Sequence, residues 1–172
     1  MTWSLPDPSP AEPVLGDPAS LAALGSALRR AATSLADSLS QVHEADVGSR
    51  RHAARIKALR RDAGLVIAAL QRTGPRLSEH SSELADAIAL ARRVRDRAES
   101  VGLQVDGPVI SASRGVRGVA DAQTEQSRTE ALVRLQRVLD AILLDLDSAR
   151  RALREDLDGE RGRLQRGVLR SR

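Results

Sequence analysis

Three observations predict an all-α protein, an elongated antiparallel bundle of three long helices with a small β-hairpin or loop before the last. First, apolar residues recur three and four apart along most of the 172 residues. From Leu132 they fall at Leu135, Leu139, Ile142, Leu146, Ala149 and Leu153. That spacing draws one apolar stripe down a helix, which another helix must cover. Second, only 1% of the residues are aromatic, so Leu, Ala, Val and Ile must do the packing. Aliphatic packing suits helix-on-helix seams better than a deep globular core. Third, five of the seven prolines lie within the first 18 residues, which leaves the remainder nearly free of helix breakers. The length allows one domain or two small ones.

Residues 1–16 read as an extended or disordered Pro-rich tail, with Trp3 either unstructured or docked. Asp17-Pro18 starts a helix, an N-cap followed by proline at the first helical position. Leu21, Leu24, Leu28, Ala31, Leu35 and Val42 carry it in register to about His43. Asp46-Val47-Gly48-Ser49 breaks the pattern, with Asp46 and Gly48 in the turn and Ser49 as the next N-cap.

The second helix is predicted from about Ser49 to Ser100, either kinked or broken at Gly74-Pro75. One kinked helix is favoured because the register does not slip across the breaker. Ile56, Leu59, Ala63, Val66 and Leu70 continue in phase through Thr73, Leu77, His80, Leu84, Ala87, Ala91, Val94, Ala98 and Val101. Asp106-Gly107, set between short apolar-containing runs over residues 102–110, signals a β-hairpin, with an ordered loop as the alternative. Ser111 to Gly118 forms a connector. The last helix is predicted from near Asp121 to roughly Arg166, and Gly159, Gly162 and Gly167 are expected to fray its basic end. The chain therefore divides into a tail (1–16), a helical hairpin (17–101), a hairpin and connector (102–120) and a C-terminal helix (121–172).

The net charge of +4 rests almost wholly on arginine, since Lys57 is the only lysine. Basic residues are interleaved with Asp and Glu along every segment. This fits solvated helix faces and disfavours nucleic acid as a partner. The chain contains no Cys, which excludes disulfides and thiolate metal sites. The N-terminal residues have neither a basic nor an apolar region of a cleaved signal, and no apolar run approaches the ~20 residues of a membrane span. A cytoplasmic protein is expected; export, if it occurs, would need a route without a cleaved signal.

Chemistry-bearing patterns are weak. His43, His52 and His80 lack metal-ligand spacing, and His80 falls on the apolar seam as a packing residue. No Gly-x-Ser-x-Gly elbow presents a nucleophile. Gly115-Val116-Arg117-Gly118 is too short for a phosphate loop, and Asp145, Asp147, Asp156 and Asp158 lack the EF-hand order. No catalytic residue, cofactor or metal is predicted, and an enzyme is not expected.

One pattern rises above composition. The capped start Gly16-Asp17-Pro18-Ala19-Ser20-Leu21, the Leu21-Ala22-Ala23-Leu24 that continues it, the turn ending in Gly48 and the second amphipathic helix resemble the Trp-x-Gly helical hairpins of type VII secretion. Actinobacterial members often open this way. The likeness covers roughly residues 14–100. Asp46-Val47-Gly48 corresponds to the Trp-x-Gly turn with the Gly kept and the Trp lost, and Ala54 stands at the later apolar-aromatic position. The family's Tyr-based export motif is absent, because the chain has no Tyr. The resemblance implies a secreted helical domain, or a partner or chaperone that accompanies a larger effector; the missing Tyr favours the accompanying role. The physics of the stripes is compatible with that role, since an exposed seam is adhesive until a matching hairpin buries it. Leu28, Leu35, Leu59, Val66, Leu139, Ile142 and Leu146 are the predicted seam, closing the chain on itself or binding a partner. The partner is another helical-hairpin protein, a larger effector or a second copy. The alternative is a structural coiled-coil scaffold unrelated to secretion.

Overall fold

The computed structural model describes residues 11–45, 53–112 and 122–169. Three helices and one hairpin follow in order: α1 (Pro18–Ala45), α2 (Ala53–Ser100), β1 (Leu103–Asp106), β2 (Val109–Ala112) and α3 (Ala122–Leu169). The predicted all-α fold class, with a β-hairpin before the last helix, is the fold of this chain. α2 is one helix with Pro75 inside it, so Gly74-Pro75 does not end it. The predicted turn around Asp46 and Gly48 lies outside the described residues.

The chain forms two compact units, Met1–Gly16 with Leu84–Asp147 and Asp17–Glu83 with Ser148–Arg172. We call them the hairpin unit and the α1 unit. α2 and α3 each contribute a stretch to both.

In the α1 unit, Asp17 caps α1 by accepting from the Ala19 and Ser20 amides at 3.0 and 3.2 Å, and from the Ser20 hydroxyl. These bonds stabilise the ionised carboxyl and hold it below the usual carboxylate range. α1 runs antiparallel to α2, since the Ser81 hydroxyl donates to the Pro18 carbonyl at 2.7 Å while Gly25 faces Gly74. α3 is antiparallel to α2 as well: Arg76 pairs with Asp156, Arg72 with Glu160, and Leu65 lies against Gly167.

The packed face of α1 is rotated by one residue from the predicted stripe. Gly25 and Ala32 are buried, whereas Leu24, Ala31, Leu35 and Val42 are exposed. Size is the reason. A Cβ on Gly25 would stand 2.7 Å from the Gly74 carbonyl oxygen, and one on Gly74 would stand 2.9 Å from the Gly25 carbonyl oxygen. Small residues let the two backbones meet, and the leucines are left beside the contact rather than in it.

Among the described residues, most of the buried hydrophobic side chains lie in the hairpin unit. Leu84, Ala87, Ala91, Val94 and Ala98 of α2 are buried in the predicted register, as are Leu139, Ile142 and Leu146 of α3. Gly102, at φ +73°, takes the left-handed conformation that ends α2 and redirects the chain into β1. Leu103 and Val105 of β1 and Ile110 of β2 form the buried face of the hairpin. The turn sits one residue later than the Asp106-Gly107 signal. Asp106 pairs with Val109, so Gly107-Pro108 is the loop, and Gly107 at φ +56° fits the first position of a type II′ turn.

Gln136 fastens the hairpin to α3. Its amide donates to the Pro108 carbonyl at 2.9 Å and to Asp140 at 2.8 Å, and its oxygen accepts from the Ile110 amide at 2.8 Å.

Two expectations are corrected. Residues 11–16 are ordered rather than a loose tail. The Ala11 amide donates to Asp106 and its carbonyl accepts from the Gly107 amide, Glu12 pairs with Arg95, and Val14 is buried. Trp3 lies outside the described residues. α3 also does not fray at its glycines but stays helical to Leu169, anchored by buried Glu160 and by Leu65 against Gly167.

Candidate interaction surface

The predicted seam residues divide into two classes. Leu139, Ile142 and Leu146 are buried within the hairpin unit and close the chain on itself. In the α1 unit, Leu28 is half-buried, while Leu35, Leu59 and Val66 are 41%, 55% and 40% exposed. The packed face of α1, which runs through Gly25 and Ala32, leaves Leu35 to solvent.

Leu28 and Val66 line an open groove of about 410 Å3 with Ala69, Leu70, Leu157 and Leu164. Thr73, Glu160, Arg161 and Gln165 complete its lining. A neighbouring cleft of about 430 Å3 is different in kind, because most of its charged groups pair with one another. Arg72 donates two bonds to the Glu160 carboxylate, at 2.7 and 2.8 Å, and Arg163 a third. Arg76 pairs with Asp156 at 3.2 Å and Glu79 at 3.0 Å. The Arg72 bonds hold Glu160 well below the usual carboxylate range against its burial, and they raise Arg72 in turn. The arrangement locks α2 to α3.

His80 is buried on the α2 seam, as predicted, with Nδ1 3.2 Å from Glu83. His52 lies outside the described residues. Among the described residues no helix is long and apolar enough to cross a membrane.

A second groove, in the hairpin unit, was not foreseen. Leu90, Val94 and Val101 approach Leu135, Val138 and Ile142 around about 390 Å3 of open space, with Arg93, Arg97 and Arg134 at the margins. Leu90 and Val138 fall outside the heptad stripe, so the spacing does not mark them. The legible signal was Arg93 and Arg97, four residues apart on one helical face beside Leu90.

No family model, curated protein or solved structure matches this chain.

Proposed function

We propose that the chain is a non-enzymatic helix-pairing module that binds another helical protein through its α1 unit. The observation that carries this reading is the incompletely covered aliphatic surface of this unit: Leu28 and Val66 line the 410 Å3 groove, and Leu35 and Leu59 stand exposed on α1 and α2. Such a surface meets water at a free-energy cost, and a partner helix laid into the groove removes it. Aliphatic walls bind by shape and burial, which suits recognition and not group transfer.

The finer reading is association with type VII secretion, as a secreted helical domain or as the partner or chaperone of a larger effector. It rests on the capped Gly16-Asp17-Pro18 start of α1 and on the antiparallel packing of α1 against α2, both features of a helical-hairpin protein. The experiment is purification of the tagged chain from its native host, with mass spectrometry of co-purifying proteins and of the culture medium. Wild type is expected to recover one helical-hairpin protein or large effector, and Val66→Asp to lose it while keeping the wild-type melting curve. Recovery of the chain alone, as a defined homo-oligomer, would instead support a coiled-coil scaffold.

A further inference from the structure

We infer that the groove of the hairpin unit docks an amphipathic helix of another protein, one whose apolar stripe is flanked by acidic residues. The inference deepens the helix-pairing reading and rests on it, but it places the contact on a different surface.

The groove floor is aliphatic. Val94 and Ile142 are buried at its base and Leu135 is half-buried, while Leu90, Val101 and Val138 open to water at 43%, 36% and 45% exposure. Side chains of this size standing together in a concave surface mark a contact site more often than a solvated face. The margins supply the charge. Arg93 and Arg97 stand on the α2 wall and Arg134 on the α3 wall, and no carboxylate lines the groove. None of these three guanidinium groups forms an ion pair with a described residue. The contrast with Arg72, Arg76 and Arg163 is direct, since each of those meets a carboxylate of its own unit.

Unpaired arginines on both sides of an aliphatic floor are complementary to one chemistry, an apolar stripe between two rows of carboxylates. An α-helix presents that pattern at its natural spacing. Arg93 and Arg97 are one turn apart, so two carboxylates one turn apart on the incoming helix can meet them together. Arginine is also the cation best suited to such pairs, because its planar fork engages a carboxylate through two bonds.

The test uses the full chain and two labelled, Ala-rich peptides of about 20 residues, long enough to form helix. Both carry one leucine stripe at helical spacing, flanked by Glu in one peptide and by Lys in the other. Fluorescence anisotropy at low salt is expected to show the Glu peptide binding at least about tenfold more tightly than the Lys peptide. The Arg93→Glu, Arg97→Glu double variant should invert that preference, and Val138→Asp should abolish binding of both. These positions are exposed, and an unchanged circular dichroism melt confirms that each variant is folded. Equal binding of the two peptides, or binding of neither, overturns the inference. Binding that survives Val138→Asp but fails in Val66→Asp overturns it while leaving the helix-pairing function standing. A wild-type dimer in sedimentation that the double variant dissolves assigns the groove to a second copy. Attachment to phosphatidylglycerol vesicles without a peptide preference assigns it to a lipid surface. Peptide binding that appears only after residues 1–10 are removed assigns it to the chain's own tail.

Discussion

Glu160 shows how one residue resists both the glycines and the charge around it. Its carboxylate is buried, yet it accepts three hydrogen bonds from Arg72 and Arg163. Burial alone would favour the protonated acid; the arginine bonds outweigh it and hold the group below its ordinary range. Linkage then fixes the sign of the pH dependence. The unfolded chain, with the ordinary and higher value, takes up the proton first as pH falls, so folding is penalised in acid. The stabilisation is complete above the ordinary carboxylate range and is lost as pH drops through the lowered folded value. Glu160→Gln should therefore lower Tm at neutral pH, and the gap from wild type should narrow as the buffer is taken into acid, below the ordinary carboxylate range. Thermal melts across pH check this, and a gap independent of pH would mean that Glu160 contributes by packing rather than by charge. In the sequence Glu160 is one acid among several near the glycine-bearing end of α3. Its partner Arg72 lies 88 residues away, and no local pattern announces such a pair.

At the scale of the element, heptad spacing was a faithful guide where one helix face is crowded with large residues, and a poor one where small residues lie beside it. In α2 the stripe from Leu77 to Ala98 is buried as read, and its phase carried correctly through Pro75. In α1 the leucine stripe predicts the seam, but Gly25 and Ala32 are the buried positions. Hydrophobicity ranks leucine above glycine, whereas the closeness of two helix axes is set by the smallest residue at the crossing. The distinction can be measured with alanine. Gly64, in α2, meets nothing within 4 Å of an added Cβ, so Gly64→Ala should stabilise by about 0.5–1 kcal/mol through helix propensity. Gly25→Ala and Gly74→Ala gain the same propensity, but each drives a methyl into the opposing backbone carbonyl. Both should destabilise by about 1–3 kcal/mol. Chemical denaturation of the three variants decides it, and stabilisation by all three would mean that α1 does not sit on α2 at this crossing.

At the scale of the whole molecule, fold class and order of elements were legible because each rests on local signals: a cap, a turn dipeptide and a repeating stripe. The division into two units was not. Neither unit is continuous in sequence, and α2 and α3 pass through both, so no composition shift or linker marks the boundary. The order of residues 11–16 was hidden for a related reason, since proline-rich composition predicts looseness and their partners, Asp106 and Gly107 of the hairpin and Arg95 of α2, are remote in sequence. The same non-local logic identifies the residue on which the hairpin unit depends most. Leu139 is fully buried, on the same face of α3 as Ile142 and Leu146 and three residues from the Gln136 that fastens the hairpin. Leu139→Asp removes its aliphatic contacts and buries a carboxylate with no cation assigned to it. The cost should reach at least about 3 kcal/mol. A lowered melting temperature and loss of hydrogen-exchange protection across 84–112 and 122–147 are the expected result. The charge-inverting pair Arg93→Glu, Arg97→Glu lies on the surface of the same unit and should leave that protection in place. An unchanged melt for Leu139→Asp would mean that α3 does not close this core, and the groove built on Val138 and Ile142 would lose its floor with it.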